Sequence, residues 1–276
     1  MTQPLGDLQQ TALNMAAGDL SQRVENPSQD EIGAVGQAFN TMATQVESIV
    51  ADQRAFASNA SHELRTPLTT IRLRTEMMLD GGLDEQTKEE FVEEIDSEVK
   101  RMSGLVDDLL LLSRIDAKRL SAGTEQVDAA RLLKKIFGEF EPQAAEKQID
   151  LELSTIDTLL VTANLNHVES VYRNIISNGI KYTPTHGRVS VNLKQDGGQM
   201  IVTVADNGEG ISSEDMPNIG KRFFRVDQAH SRAVAGTGLG LALVMSIMQL
   251  YNGEMEISSQ GLGDGTTVDI RWPISQ

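Results

Sequence analysis

From Ile32 onward the chain places an apolar side chain at alternating intervals of three and four residues: Ile32, Val35, Phe39, Met42, Val46 and Ile49. This is the seam of a coiled coil, which stays out of water only if a second helix covers it. The helical pattern continues through Phe56, Ala60, Leu64, Leu68, Ile71 and Met78 and stops at Asp80-Gly81-Gly82. Asp30 and Glu31 open it, two acids suited to the positive end of a helix. Gly33 and Gly36 weaken an isolated first turn, so tertiary packing is expected to support it. Upstream, a short amphipathic helix reads from Leu5 to about Ala17, and Gly18 with the polar stretch to Gln29, including Pro27, breaks it.

Past the Asp80-Gly81-Gly82 turn, a second amphipathic helix is expected from about Asp84 to Ala117, with Val92, Ile95, Val99, Met102, Val106 and Leu109 on one face. Two antiparallel helices cannot enclose much of a core, whereas two such hairpins make a four-helix bundle, so the pattern predicts a homodimer. The run Asp84 to Asp108 carries ten acids and three bases, and its plain reading is a solvated helix face. On the first helix of this hairpin, at 100° per residue, His62 lies about 200° from both Ala60 and Leu64 and so faces water. Thr66, four residues on, shares that outward face, and Pro67 removes the donor for the carbonyl of Glu63, with a kink as the possible result. A histidine followed by a glutamate on a helix is, taken alone, an ordinary surface pair.

Composition excludes several alternatives. The 276 residues are 39% hydrophobic and allow two domains or more. No run of about 18 apolar residues occurs, and the N-terminus lacks the basic-then-apolar layout of a signal peptide, so neither a membrane span nor secretion is expected of this sequence. There is no cysteine, and the four histidines (His62, His167, His186, His230) lack metal-ligand spacing, which argues against a structural zinc. The formal charge of −16 argues against nucleic acid as a partner, because affinity for a polyanion comes from Lys and Arg displacing counterions. Lys221, Arg222, Arg225 and Arg232 nevertheless cluster where acids are sparse.

From Glu125 the register changes to mixed strands and helices, a separate α+β domain, with Ser121-Ala122-Gly123-Thr124 as the linker. Strand patterns stand out at Val189 to Leu193, Met200 to Ala205 and Thr266 to Ile270. A helix is expected from about Asn164 to Tyr182, burying Val168, Val171 and Ile175. Asn174 and Asn178 share one face of it, with Lys181 and Tyr182 a further turn along. Two amide oxygens, a cation and an aromatic ring suit a magnesium-bound phosphate beside a base, although polar residues on a helix are by themselves usually only solvated.

Asp206-Asn207-Gly208-Glu209-Gly210 follows a strand and turns sharply, with glycines where backbone must approach a ligand closely. Phe223-Phe224-Arg225 lies in a long irregular stretch, and Gly236-Thr237-Gly238-Leu239-Gly240 opens an apolar helix to about Asn252. A glycine-rich loop at a helix N-terminus offers N–H donors to phosphate oxygens, yet a lone one is more often a tight turn. Neither loop fits a P-loop or a parallel βαβ dinucleotide site.

Order and spacing decide between these readings. Asn174-x-x-x-Asn178, Asp206-x-Gly208-x-Gly210, Phe223-x-Arg225 and Gly236-x-Gly238-x-Gly240 resemble the N, G1, F and G2 boxes of bacterial sensor histidine kinases, and Ser61-His62-Glu63-Leu64-Arg65-Thr66-Pro67-Leu68 resembles their H box. The N-terminal helix, glycine connector and heptad resemble the HAMP relay module, with a plain dimerising coiled coil as the rival reading. The resemblance implies a multi-domain α and α+β protein: a HAMP-like relay at 1–49, a dimerisation and phosphotransfer hairpin at 50–120 and an α/β-sandwich ATP-binding domain of GHKL type at 125–276. One departure is Gly179, where the N box usually has alanine, and a slight weakening of the helix is expected there.

The resemblance also implies roles. His62 is the phosphoacceptor, Glu63 its acid/base partner and Thr66 the residue that aligns a water for dephosphorylating a response regulator. Asn174 and Asn178 hold Mg2+ or phosphate, Lys181 touches phosphate and Tyr182 lines the nucleotide site. Asp206 receives the adenine amino group, and Gly208 and Gly210 let the chain turn around the base. Residues 211–235 form the ATP lid, in which Phe224 and Arg225, with Gly236, Gly238 and Gly240, close over the triphosphate. The implied cofactors are ATP and Mg2+. The implied partner beyond a second copy is a response-regulator receiver domain, and the implied setting is the cytoplasmic portion of a membrane receptor whose sensor segments lie upstream. An ATP-binding scaffold without phosphoryl transfer, and an ATPase or chaperone on the same nucleotide fold, are the alternatives.

Overall fold

The computed structural model describes residues 3–25, 30–117, 120, 122–123, 125–226 and 236–274. Pro27, Ser121, Thr124, His230, Arg232 and the lid stretch 227–235 therefore lie outside the described residues. The chain divides into two compact units, Met1–Arg72 and Leu73–Gln276.

In the first unit, helix α1 (Gln3–Ala16) ends at Gly18, whose φ of 105° only glycine adopts readily. The connector then lies against the long helix α2 (Glu31–Asp80). The carboxamide of Asn40 accepts from Val24 N–H at 2.8 Å and donates to Val24 C=O at 3.0 Å, and Arg23 reaches Glu47 at 2.5 Å. Asp30 caps α2 by accepting from Gly33 N–H at 3.0 Å. Gly33, Gly36 and Ala43 are the buried apolar positions of this stretch, so packing does support the glycine-weakened turn. The heptad seam, in contrast, is partly open: Val35, Met42 and Ile49 are 52%, 48% and 65% exposed, while Ile32, Phe39 and Val46 are half-covered. The fully buried positions are thus the small ones, and Val35, Met42 and Ile49 are left for another surface.

In the second unit, α3 (Glu85–Asp116) begins on Asp84, which accepts from Thr87 N–H at 2.8 Å. Its buried residues are Phe91, Leu105 and Leu112, whereas Val92, Val99 and Val106 of the expected seam are exposed. The face buried within one chain is thus offset by one residue from the apolar face that carries Val92, Val99 and Val106, which stays open. Arg74 stacks over the Phe91 ring at 4.5 Å and pairs with Glu94.

The C-terminal domain is a two-layer α/β sandwich. β1 (Glu125–Asp128) pairs antiparallel with β3 (Leu160–Ala163), and β2 (Asp150–Thr155), β4 (Arg188–Asp196), β5 (Gln199–Asp206), β6 (Glu254–Ser258) and β7 (Thr267–Pro273) form a mixed sheet in the order β2-β4-β5-β7-β6. Only β2–β4 is parallel. Alternation along the central strands buries Val189, Val191 and Leu193, then Met200, Val202 and Val204, then Val268, Ile270 and Trp272. Helices α4 (Ala129–Glu146), α5 (Leu165–Tyr182) and α6 (Gly240–Leu250) form the other layer, with α5 in the middle, and α3 packs on α6. Gly179 proves to be a spacing device. A Cβ there would meet Val189 and Val204 methyls at 3.2 and 3.3 Å, so its absence lets α5 approach β4 and β5.

Candidate functional site

In the first unit, His62 and Thr66 are exposed and Glu63 and Leu64 partly so, on the uninterrupted helix α2. Pro67 is buried and does not end the helix. The hydroxyl of Thr66 donates to His62 C=O at 3.4 Å, a turn of bonding that keeps Thr66 beside His62 on one face. Leu68, expected on the covered seam, is 57% exposed.

In the second unit, one cleft of about 680 Å³ collects most of the remaining candidates: Asn174, Asn178, Lys181, Tyr182, Asp206, Gly210, Phe224, Arg225, Gly236, Gly238 and Gly240. Gly208 does not line it. It sits behind, where a Cβ would strike the Tyr182 carbonyl, so glycine lets the Asp206 loop lie against the end of α5.

Each wall follows from local chemistry. The Asn174 amide nitrogen donates to Ser170 C=O at 2.8 Å, which fixes the amide and turns its oxygen toward Gly240, where a Cβ would fill the gap. Asp206, at the end of β5, uses one carboxylate oxygen for both Gly208 N–H at 2.9 Å and Thr266 N–H at 3.1 Å. Burial pushes its carboxyl above the ordinary range, although those two donors pull it down. The Lys181 ammonium stands where a Cβ on Gly236 would be, 4.8 Å over the Tyr182 ring, and burial together with the neighbouring Arg225 charge lowers its pKa to about 8.

The two loops after β5 are clipped to each other. Arg225 Nη1 donates to Gly236 C=O at 2.6 Å, and Phe223 N–H, on a residue with a φ of 62°, donates to Gly238 C=O at 2.9 Å. Of the basic cluster, Lys221 and Arg225 line the cleft. Arg222 instead pairs with Asp116 at 2.7 Å, at the C-terminal end of α3. The described members of the basic cluster are thus divided between the cleft and the end of α3.

Asp108 belongs to the acidic run expected as a solvated face, yet it lines the cleft from α3, and burial with the adjacent Asp107 raises its pKa to about 6. No sequence signal sets it apart from the nine other acids of its run, because only the docking of α3 on α6 turns it inward.

Two asparagine amides, the three cations Lys181, Lys221 and Arg225, the half-buried Asp206 carboxyl and a glycine-lined rim fit a nucleotide with its phosphates, so the cleft defines an ATPase-type nucleotide-binding domain. Comparison with known families agrees. Residues 163–276 match the family described as "Histidine kinase-, DNA gyrase B-, and HSP90-like ATPase", residues 52–118 the "His Kinase A (phospho-acceptor) domain", and residues 1–48 the "HAMP domain".

The chain is 31% identical over 262 residues to signal transduction histidine-protein kinase BaeS of Escherichia coli K12, covering 95% of this chain and 56% of that protein. It is 34% identical over 237 residues to sensor histidine kinase WalK of Bacillus subtilis, covering 84% and 38% respectively. The solved structure of Acinetobacter baumannii histidine kinase AdeS superposes with a TM-score of 0.62 at 27% identity over 78% of this chain and 98% of that one. The complex of histidine kinase ThkA with response regulator protein TrrA shares the fold, with a TM-score of 0.62 at 19% identity over 83% of this chain and 64% of that one. This chain belongs to the sensor histidine kinases of bacterial two-component systems. It spans about half the length of BaeS and less of WalK, and among the described residues no helix is long and apolar enough to cross a membrane.

Proposed function

We propose that the chain is an ATP-dependent protein-histidine kinase that phosphorylates His62 and passes the phosphoryl group to an aspartate of a response-regulator receiver domain. The observation that carries this reading is the convergence of Asn174, Asn178, Lys181, Asp206 and Arg225 on one glycine-rimmed cleft, in a chain that also exposes a histidine inside its phospho-acceptor match. Asp206 accepts from the adenine amino group, Asn174 and Asn178 would hold Mg2+ through their amide oxygens, and Lys181 and Arg225 offset the phosphate charge. Mg2+, when bound, would supply neutralisation of the phosphate charge. A neutral His62 imidazole attacks the γ-phosphorus, the bond to the β-phosphate oxygen breaks, and ADP leaves. Glu63 orients the ring and takes the proton released as the phosphohistidine forms.

Thr66, one turn from His62, aligns a water for removing phosphate from the regulator, which adds a phosphatase activity. The open seam Val35, Met42 and Ile49 supports a homodimer, and the HAMP match supports placement at the cytoplasmic side of a membrane receptor.

Incubation with γ-labelled ATP and Mg2+ tests the reading. Acid-labile, base-stable label on the unaltered chain and none on His62→Gln is expected. Label that survives His62→Gln sinks the assignment, and ATP binding with no label on the unaltered chain favours a scaffold that does not transfer. For the phosphatase, Thr66→Ala is expected to slow dephosphorylation of the cognate regulator, and an unchanged rate removes that role.

A further inference from the structure

The last carbonyls of a helix have no intrahelical donor and need partners from elsewhere. At the end of α5, which carries Lys181 and Tyr182, every carbonyl from Gly179 to Thr183 has one. Thr183 Oγ1 donates to Gly179 C=O at 2.6 Å, and Glu209 N–H to Tyr182 C=O at 3.1 Å. The other three are taken by a single group, the ammonium of Lys147, which donates to Ile180, Lys181 and Thr183 C=O at 2.8, 3.1 and 2.8 Å. All three protons of that ammonium are thereby directed at backbone.

Lys147 is itself held. It is the C-cap of α4, its carbonyl accepts from His186 N–H at 3.4 Å, and the left-handed Gln148, with a φ of 55°, turns the chain back so that Ile149 N–H reaches Ala144 C=O at 2.8 Å. The next residue, Asp150, donates to Gly187 C=O at 2.9 Å and starts β2. The ammonium therefore projects from a fixed point onto the terminal turn of α5, where a cation is also favoured by the helix dipole. Lys147 does not line the cleft.

We infer that Lys147 is a positioning residue of the nucleotide site: by holding the Ile180, Lys181 and Thr183 carbonyls it sets the direction in which Lys181 and Tyr182 enter the cleft. This rests on the reading of the cleft as the ATP site. The same turn supports the opposite wall, because the Tyr182 carbonyl carries Glu209 N–H and lies against Gly208, beside Asp206. With the ammonium gone, three carbonyls beside Lys181 must find water, the turn loosens, and the Lys181 charge loses its fixed place. Lys147 acts through Lys181, and that is what distinguishes it from a residue that only stabilises the domain.

The test is calorimetric binding of Mg-ATP to the full chain, its Lys147→Met and Lys181→Met variants and the double variant, with steady-state labelling of His62 alongside. Lys147→Met is expected to weaken ATP binding about tenfold and raise KM, with kcat at saturating ATP within about twofold of the unaltered chain. In the Lys181→Met background the same change is expected to cost less than about threefold, because the group it positions is absent. Unchanged affinity of Lys147→Met, or two losses that simply multiply, overturns the inference. If Lys147→Met does not unfold cooperatively, Lys147→Gln, which keeps two N–H donors without the charge, carries the same comparison with a smaller expected loss, and wild-type affinity in it is likewise fatal. No ATP binding by the unaltered chain would overturn the nucleotide reading and this inference with it, whereas equal binding by the unaltered and altered chains overturns only the role of Lys147.

Discussion

The hydroxyl of Tyr251 lies 2.9 Å from Nδ1 of His167 and at the same time accepts from Gly123 N–H at 3.0 Å and Asn164 N–H at 2.9 Å. A phenol has one proton and two lone pairs, so with both lone pairs taken it must donate to Nδ1, which makes His167 the neutral tautomer protonated at Nε2. Trp272 packs on the Tyr251 ring at 4.5 Å and closes the cluster. The segment entering the C-terminal domain is tied down here, at Gly123, by a single oxygen. Tyr251→Phe should keep the ring packing and lose all three bonds, destabilising the domain by about 1–3 kcal/mol in urea unfolding. It should also release Gly123, visible as faster amide exchange there while exchange in β5 changes little.

The same pair makes stability depend on pH. Burial lowers the His167 pKa from its ordinary 6.5. The unfolded chain therefore binds a proton below about 6.5 that the folded chain refuses, and stability must fall as pH drops through that value. His167→Gln should flatten this part of the stability profile between pH 7.5 and 5.5. An equally steep profile in that variant would place the titration elsewhere.

Asp108 has the opposite sign. Its carboxyl titrates at about 6 in the fold against 3.8 for an ordinary aspartate, so between those values the native state binds the extra proton. Stability contributed by this group is fully present below 3.8 and is lost as pH rises through 6. Asp108→Asn should stabilise the chain at pH 7.5 and have little effect at pH 4.5. The ionised carboxylate also shares a cleft with the candidate phosphate ligands, so the variant should bind Mg-ATP a few-fold more tightly at pH 7.5, by calorimetry.

Two glycines of the site separate space from ligand approach. Gly179→Ala must push the Val189 and Val204 methyls by a few tenths of an ångström, and the gain in helix propensity offsets part of that, so a net change within about 1 kcal/mol and retained ATP affinity are expected. Gly240→Ala puts a methyl on the Asn174 oxygen and should cost at least about tenfold in ATP affinity with the fold intact by circular dichroism.

The helices with strong periodicity were legible from sequence: α2, α3 and α5 begin and end close to where caps and glycines put them, since Asp30, Asp84 and Asn164 all cap as their residue types require. The strands around Val189, Val202 and Val268 were legible for the same reason, an alternating buried face. The cleft was legible as an ordered series of motifs, because its glycines and amides have few other uses in that order. What could not be read was anything decided by packing between distant segments. Which face of α3 is buried depends on α6, the inward turn of Asp108 depends on the same contact, and the capping of α5 by Lys147 depends on a left-handed Gln148 that looks like any other surface glutamine.

Phe91, Leu105 and Leu112 fall on a period of seven along α3, and so do Val92, Val99 and Val106, one residue later and about 100° around the helix. The first line is turned inward within this chain and the second is open. One rod thus carries two adjacent gear faces with the same pitch. Any twist that α3 undergoes changes the grip on the nucleotide domain and the presentation of Val92, Val99 and Val106 by the same angle, so the two surfaces cannot be adjusted independently.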